Sequence, residues 1–246
     1  MSVHFIGAGP GAADLITVRG RDLLARCTVC LYAGSLVPVE LLAVCPPGAR
    51  LVDTQGLHLD QILAELVDAH HAGHEIARLC SGDPSVYSAI TEQIRRLDEA
   101  GVPYDITPGV PAFAAAAATL RQELTVPGVG QTVVLTRTSA RATPMPPGES
   151  LTTLGAARAT MVLHLAVQRI AAVVEELVPN YGADCPVAVV ANASRENEVV
   201  LHGSLATIAG QVGDAGIKRT AVIIVGQVLA LPGCESHLYS AHRSRD

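Results

Sequence analysis

In the run Leu79-Cys80-Ser81-Gly82-Asp83-Pro84-Ser85-Val86-Tyr87 an apolar stretch stops at a small, polar, turn-forming loop that carries a single carboxylate, Asp83. Ile76 to Cys80 reads as a buried strand, Gly82 and Pro84 break it, and Ser85 opens a helical pattern through Ile90, Ile94 and Leu97. A tight strand-to-helix loop sits at the carboxyl end of a parallel sheet, which is where open α/β sheets bind ligands. There Asp83 could accept hydrogen bonds from a ligand's amino or hydroxyl groups, or cap the helix that follows.

Two further loops have the same character. The strand-like Val3 to Ile6 runs into Gly7-Ala8-Gly9-Pro10-Gly11-Ala12-Ala13-Asp14, which fits the dinucleotide fingerprint G-x-G-x-x-A. The ribose-binding acid that such a site needs at the end of the second strand is absent, because that strand ends in Tyr32-Ala33-Gly34. Pro10 also removes an N–H that a phosphate would want. The third loop, Pro108-Gly109-Val110-Pro111-Ala112, follows a strand at 104–107 and precedes an alanine-rich helix over 113–120.

The elements that must position these loops alternate regularly. Strand 28–32, a turn through Ser35 with a short helix at 39–44, strand 50–53 and an amphipathic helix from Leu59 that stops at Gly73 complete a parallel α/β half. The pattern lapses between Leu120 and Gln131, which places a domain boundary there and gives domains 1–120 and 121–246. A second alternation has strands at 132–136, 160–165, 187–191 and 221–225, with helices at 170–178 and 205–212. Residues 138–156 read as one long loop, with Arg137 and Arg141 at its start as candidate anchors for a carboxylate-rich substrate.

Composition narrows the partners. The chain is 49% hydrophobic and only 16% charged, without tryptophan, so its core rests on Ala, Val, Leu and Ile, as in α/β proteins. The net charge of −6 supplies no basic footprint, so neither nucleic acid nor an anionic membrane is an expected partner. No apolar run approaches a spanning helix and the first residues do not form a signal sequence, which points to the cytoplasm. The six cysteines read as reduced core thiols, and Cys27-x-x-Cys30 has no second CxxC to complete a zinc site. His70, His71 and His74 cluster at a helix end, where imidazoles are favourable without a metal, so no metal is expected.

Taken together, Gly7-Ala8-Gly9-Pro10-Gly11 with Asp14-Leu15-Ile16-Thr17, Gly82-Asp83-Pro84, Pro108-Gly109-Val110 and Pro186-Val187-Ala188-Val189 resemble, in order and spacing, the tetrapyrrole methylases. The resemblance covers nearly the whole chain. Within that family, Tyr32-Ala33-Gly34-Ser35-Leu36-Val37-Pro38, Ala77-Arg78-Leu79-Cys80-Ser81-Gly82-Asp83, Pro108 to Ala116 and Leu135-Thr136-Arg137-Thr138-Ser139 are similar to the members that methylate C11 of precorrin-4 in cobalamin synthesis.

That resemblance implies two αβα domains with a cleft between them, a homodimer, and S-adenosylmethionine as methyl donor for a corrin precursor, metal-free or cobalt-bound. It turns the glycine loop from a phosphate cradle into a wall of the donor pocket. The donor site it implies comprises Pro10, Ser81, Gly82, Asp83, Val86, Pro111 and Ala112, continued by Leu165, Ala193 and Thr220, with Ser35, Arg78, Arg137 and Arg141 toward the substrate. Related methylases that act earlier carry an Asp directly after the second-strand Tyr, where this chain has Ala33, and their lysine has no counterpart near Asp53-Thr54-Gln55. The catalytic base stays open, with His58 and Glu123 as polar candidates. Outside this class, the alternatives are a nucleotide-dependent oxidoreductase using the Gly7–Gly9 loop and a non-catalytic donor-binding protein.

Overall fold

The computed structural model describes residues 1–138 and 144–234. The chain forms two compact units, the first over Met1–Ala115 and the second from Ala116 onward, so the division falls inside a helix, a few residues before the composition break at 120. In the first unit the strands are β1 (Val3–Gly7), β2 (Val29–Tyr32), β3 (Arg50–Asp53), β4 (Ile76–Cys80) and β5 (Tyr104–Thr107). All pair in parallel, in the order β3-β2-β4-β1-β5. The central β1 and β4 are largely buried on both faces, as a sheet covered by helices on both sides requires.

The helices are α1 (Val18–Leu24), α2 (Val39–Leu42), α3 (Leu59–His71), α4 (Ile90–Glu99) and α5 (Ala112–Thr119). On one face Phe5, Leu31 and Ile76 pack with Leu63 and Leu66 of α3 and Leu97 of α4. On the other, Ile6, Cys30 and Leu79 pack with Leu24 of α1 and Leu41 of α2. Fully burying a large side chain such as Phe5 or Leu66 contributes about 1.5–3 kcal/mol. Two layers of helix around one parallel sheet therefore bear out the α/β architecture expected of this half.

In the second unit the strands are β6 (Val133–Arg137), β7 (Thr160–His164), β8 (Pro186–Ala191), β9 (Val199–Ser204) and β10 (Ala221–Val225), and the helices are α6 (Leu151–Gly155), α7 (Ile170–Tyr181) and α8 (Ile208–Asp214). The sheet order is β6-β7-β10-β8-β9. It is mixed: β6 and β7 run parallel, while β10 is antiparallel to both neighbours and β9 is antiparallel to β8. Met161, Leu163, Val187, Val189, Ile223 and Val225 pack against α6, α7 and α8. No described helix is long and apolar enough to cross a membrane.

Three local expectations change. The helix after the Ser81 loop starts at Ile90 and not at Ser85, because Tyr87 and Ala89 adopt left-handed backbone with φ of 54° and 50°. Residues 138–156 are not one loop, since Ser150 accepts a hydrogen bond from the Thr153 amide and opens α6. Strand β9 escapes the periodicity because its half-exposed valines and Gly203 read as a connection.

At the amino end of the first sheet, His4 of β1 lies between Asp105 (2.7 Å) and Glu75 (3.2 Å). Glu75 also accepts from the Ser2 amide at 2.9 Å. That amide, acting against burial and joined by His4, holds the Glu75 carboxyl below its ordinary value. A carboxylate with a lowered folded pKa stabilises above its unfolded value and loses that contribution as pH falls. Glu75→Gln is therefore expected to melt below the unmodified protein at pH 7, with the gap closing below about pH 4, read by thermal melts across pH.

Candidate functional site

The carboxyl edge of the first sheet is assembled from three loops that share backbone hydrogen bonds. After β1, Gly9 pairs with Gly82 through Gly82 N to Gly9 O (2.7 Å) and Gly9 N to Gly82 O (3.2 Å). Gly9 and Gly82 have φ of 78° and 68°, a conformation that side chains disfavour. The third loop approaches so closely that a Cβ on Gly7 would lie 2.5 Å from Gly109 backbone. Thr17, whose hydroxyl caps α1 by accepting from Gly20 N, also reaches the Pro108 carbonyl at 3.4 Å.

Asp83 closes this lacing. Its Oδ2 accepts from the Gly109 amide at 2.7 Å, and its Oδ1 accepts from the Ser85 amide at 2.8 Å and from the Ser85 hydroxyl. Burial works to raise its pKa, but the Ser85 hydroxyl and the two amides outweigh that and hold it low. Both oxygens thus bind the protein's own loops, and the Asx turn at Ser85 replaces the helical cap expected there. Ser88 adds a bond to the Asp83 carbonyl at 3.0 Å.

The structure brings Pro10, Ser81, Gly82, Asp83, Val86, Pro111 and Ala112 to this one edge, on the loops after β1, β4 and β5. Gly82 sits against the start of α5, where a Cβ would meet Pro111 and the Ala112 amide at 3.6 Å. Ser35 lies at the same edge, in a short 3-10 turn after β2 (Gly34–Leu36). That turn is held by Asp53, which accepts from the Gly34 amide at 3.0 Å and the Gln55 amide at 2.9 Å.

Arg78 differs from its expected part. It is 8% exposed and donates to Gln93 (3.1 Å), Thr54 (3.4 Å) and the Leu79 carbonyl (3.4 Å), while burial lowers its pKa. Thr54 in turn donates to Tyr32 O, and Gln93 to Ala89 O at the head of α4. Arg78 is accordingly a buried tie between the ends of β3 and β4 and the start of α4.

In the second unit Leu165, Ala193 and Thr220 also converge. Continuing the β7–β10 register sets Leu165 opposite Ala221, and the Asn192 amide donates to Thr220 O at 2.8 Å. Leu165, Asn192, Ser194 and Thr220 all have positive φ, between 52° and 66°. Each such non-glycine residue costs about 1–3 kcal/mol, and strain of this kind collects at binding sites. Leu165 is moreover 71% exposed, an apolar side chain left at a sheet edge.

Arg137 ends β6 at this edge, opposite His164, and donates to the Thr138 and Pro144 carbonyls at 3.1 and 3.2 Å. Arg141 lies outside the described residues. His58 is exposed at the start of α3, with Gln61 accepting from its amide, and Glu123 is exposed and accepts from Thr125, so neither shows the features of a base. All six cysteines are free. Burial pushes Cys27 up to about 12, and Cys30 is raised by a hydrogen bond with Cys45 and by burial.

The oxidoreductase alternative meets a physical obstacle. Gly9 N and O are both spent on Gly82, and the loop leads into a three-residue 3-10 turn (Ala13–Leu15) instead of the α-helix N-terminus that would hold a pyrophosphate. What the edge offers is small, mostly uncharged side chains and close backbone.

Residues 2–209 match the family described as tetrapyrrole (corrin/porphyrin) methylases, and the chain belongs to that family. A precorrin-4 C(11)-methyltransferase of Rhodococcus erythropolis is 62% identical, covering 100% of this chain and 99% of that one. The X-ray structure of CbiF, a cobalt precorrin-4 methyltransferase, superposes with a TM-score of 0.91 at 38% identity, covering 94% and 96% of the two chains. A uroporphyrin-III C-methyltransferase from Thermus thermophilus, solved with S-adenyl homocysteine, has a TM-score of 0.79 at 26% identity, covering 94% of each chain. The two-domain α/β expectation and the family resemblance agree with these relatives.

Two substitutions test the laced edge. A Cβ on Gly109 would collide with the Gly82 carbonyl and the Gly7 backbone, so Gly109→Ala is expected to lower the melting temperature by several degrees, an overpacking cost of about 1–3 kcal/mol, visible by calorimetry. Asp83→Ala leaves two amides without their carboxylate and is expected to speed amide hydrogen exchange at Ser85 and Gly109 about tenfold or more, with Asp83→Asn in between.

Proposed function

We propose that this chain transfers the methyl group of S-adenosylmethionine to C11 of precorrin-4 in cobalamin biosynthesis. The observation that carries this is end-to-end identity of 62% with a precorrin-4 C(11)-methyltransferase, joined to two sheet edges whose loops have laced or strained backbone. The contacts to the methyl donor are assigned to Pro10, Ser81, Gly82, Val86, Pro111 and Ala112 of the first edge, with Leu165, Ala193 and Thr220 of the second. Asp83 serves the same site by fixing its loops.

These residues suit a sulfonium donor, because none of them is cationic and Asp83 adds negative charge beside them. When bound, S-adenosylmethionine supplies an electrophilic methyl carbon for in-line attack by a ring carbon. Such a displacement disperses charge, so the protein's part is to align the reactants and exclude water. Gly7, Gly82 and Gly109 let the loops close on one another, and the Asp83 bonds fix them before binding, which reduces the ordering cost at that moment. Ser35 and Arg137, with Arg141, are assigned to the substrate's carboxylate groups, whereas Arg78 organises the loops from inside.

Metal-free precorrin-4 is favoured over the cobalt form by the higher identity to the metal-free enzyme, 62% against 43% for a cobalt-precorrin-4 C(11)-methyltransferase. The family resemblance supports a homodimer working in the cytoplasm, and light scattering on the purified chain tests the dimer.

The deciding experiment incubates the protein with methyl-labelled S-adenosylmethionine and either substrate. Label is expected at C11 of the product, with faster turnover of the metal-free ring. No label in either ring rules out the proposal, and faster turnover of the cobalt ring reverses the substrate assignment.

A further inference from the structure

We infer that Glu198 is a positioning residue for methyl-donor binding, holding the Asn192-Ala193-Ser194 turn in the shape that presents Ala193 at the sheet edge. The inference rests on the assignment of Ala193 to the donor site made above. Asn192 and Ser194, either side of Ala193, have φ of 53° and 66°. Residues with side chains seldom adopt this backbone unless their surroundings impose it. Part of what imposes it is local: Arg195 N donates to Asn192 O at 3.0 Å and Glu198 N donates to Arg195 O at 3.0 Å.

The Ser194 amide itself donates to Glu198 Oε2 at 2.7 Å, a short bond to a charged acceptor and stronger than a neutral one. The same oxygen accepts from the Thr119 hydroxyl at 3.0 Å, in the last turn of α5. Thr119 thereby fixes a side chain that would otherwise sample several rotamers. Glu198 is partly buried whereas its neighbours Glu196 and Asn197 are exposed, so of this polar run it is the residue turned inward. Ala193, 5% exposed, has no side chain long enough to anchor the turn, which leaves the carboxylate and the backbone to do it.

A residue with a purely structural role would change the melting temperature of the protein without changing the donor affinity of the folded form. A positioning residue changes that affinity. The test compares the unmodified protein with Glu198→Ala, Glu198→Gln and Thr119→Val by calorimetric titration with S-adenosylhomocysteine and by amide hydrogen exchange without ligand. Glu198→Ala is expected to exchange faster across 192–198 and to bind about tenfold or more weakly. Glu198→Gln keeps an oxygen that can accept both bonds and is expected to restore most of the affinity. Unchanged affinity in a folded Glu198→Ala protein overturns the inference, whatever its melting temperature.

If Glu198→Ala does not fold, Thr119→Val carries the comparison, since it removes only the hydroxyl behind the carboxylate. Weaker binding at an unchanged melting temperature then supports the inference, and unchanged binding overturns it. Failure of the unmodified protein to bind S-adenosylhomocysteine overturns the donor-site assignment instead, while the exchange measurement still reports whether Glu198 holds the turn.

Discussion

The structure depends on carboxylates that accept hydrogen bonds from the backbone of strand-end loops. The loops at the first sheet edge are rich in glycine, proline, alanine and serine, and such residues bring too little side chain to be fixed by packing. Three acids replace it. Asp53 gathers the amides of Gly34 and Gln55, Asp83 those of Ser85 and Gly109, and Glu198 the amide of Ser194 with the hydroxyl of Thr119. Each bond to an ionised acceptor contributes about 1.5–3 kcal/mol, enough to hold a short loop against its conformational entropy. None of the three is fully buried, which keeps the desolvation cost of the charge low.

Steric contact completes what the carboxylates begin. Gly7 and Gly109 approach each other and the Gly82 carbonyl at distances that no side chain could occupy, and Gly9 and Gly82 form an isolated antiparallel bridge beyond the strands. This is why a sequence that fits a dinucleotide fingerprint does not make a dinucleotide site. In such a site the glycines bring a helix N-terminus to a pyrophosphate. Here they bring one loop to another, and the N–H groups are consumed in doing so. Arg78 supports the same region from below, where its buried guanidinium joins Thr54 and Gln93.

Much of this was legible in the chain itself. Apolar runs at 3–6, 76–80 and 221–225 announced strands, and the loops that follow the first two carry part of the candidate site, while Thr220 stands just before the third. Leu165, Ala193 and Thr220, far apart in sequence, fall on one sheet edge. Less legible were Arg78, whose charge reads as a surface anchor until its buried partners are seen, and Glu198, an acid in a polar run with no motif around it. Nothing local distinguishes Glu198 from Glu196.

By itself the sequence determined the alternation of strands and helices, the family and the loops that carry the site, because these follow from local periodicity, turn chemistry and motif spacing. Tertiary structure alone decided what each polar side chain does there. Asp83 finds its second amide 26 residues away, Glu198 its hydroxyl 79 residues away, and β10 its antiparallel place between β7 and β8. Such pairings are set by how distant segments pack, which no local pattern encodes. Asp83, the lone carboxylate of the central loop, is therefore a fastener of backbone rather than a free acceptor, because its oxygens are already occupied by Ser85 and Gly109.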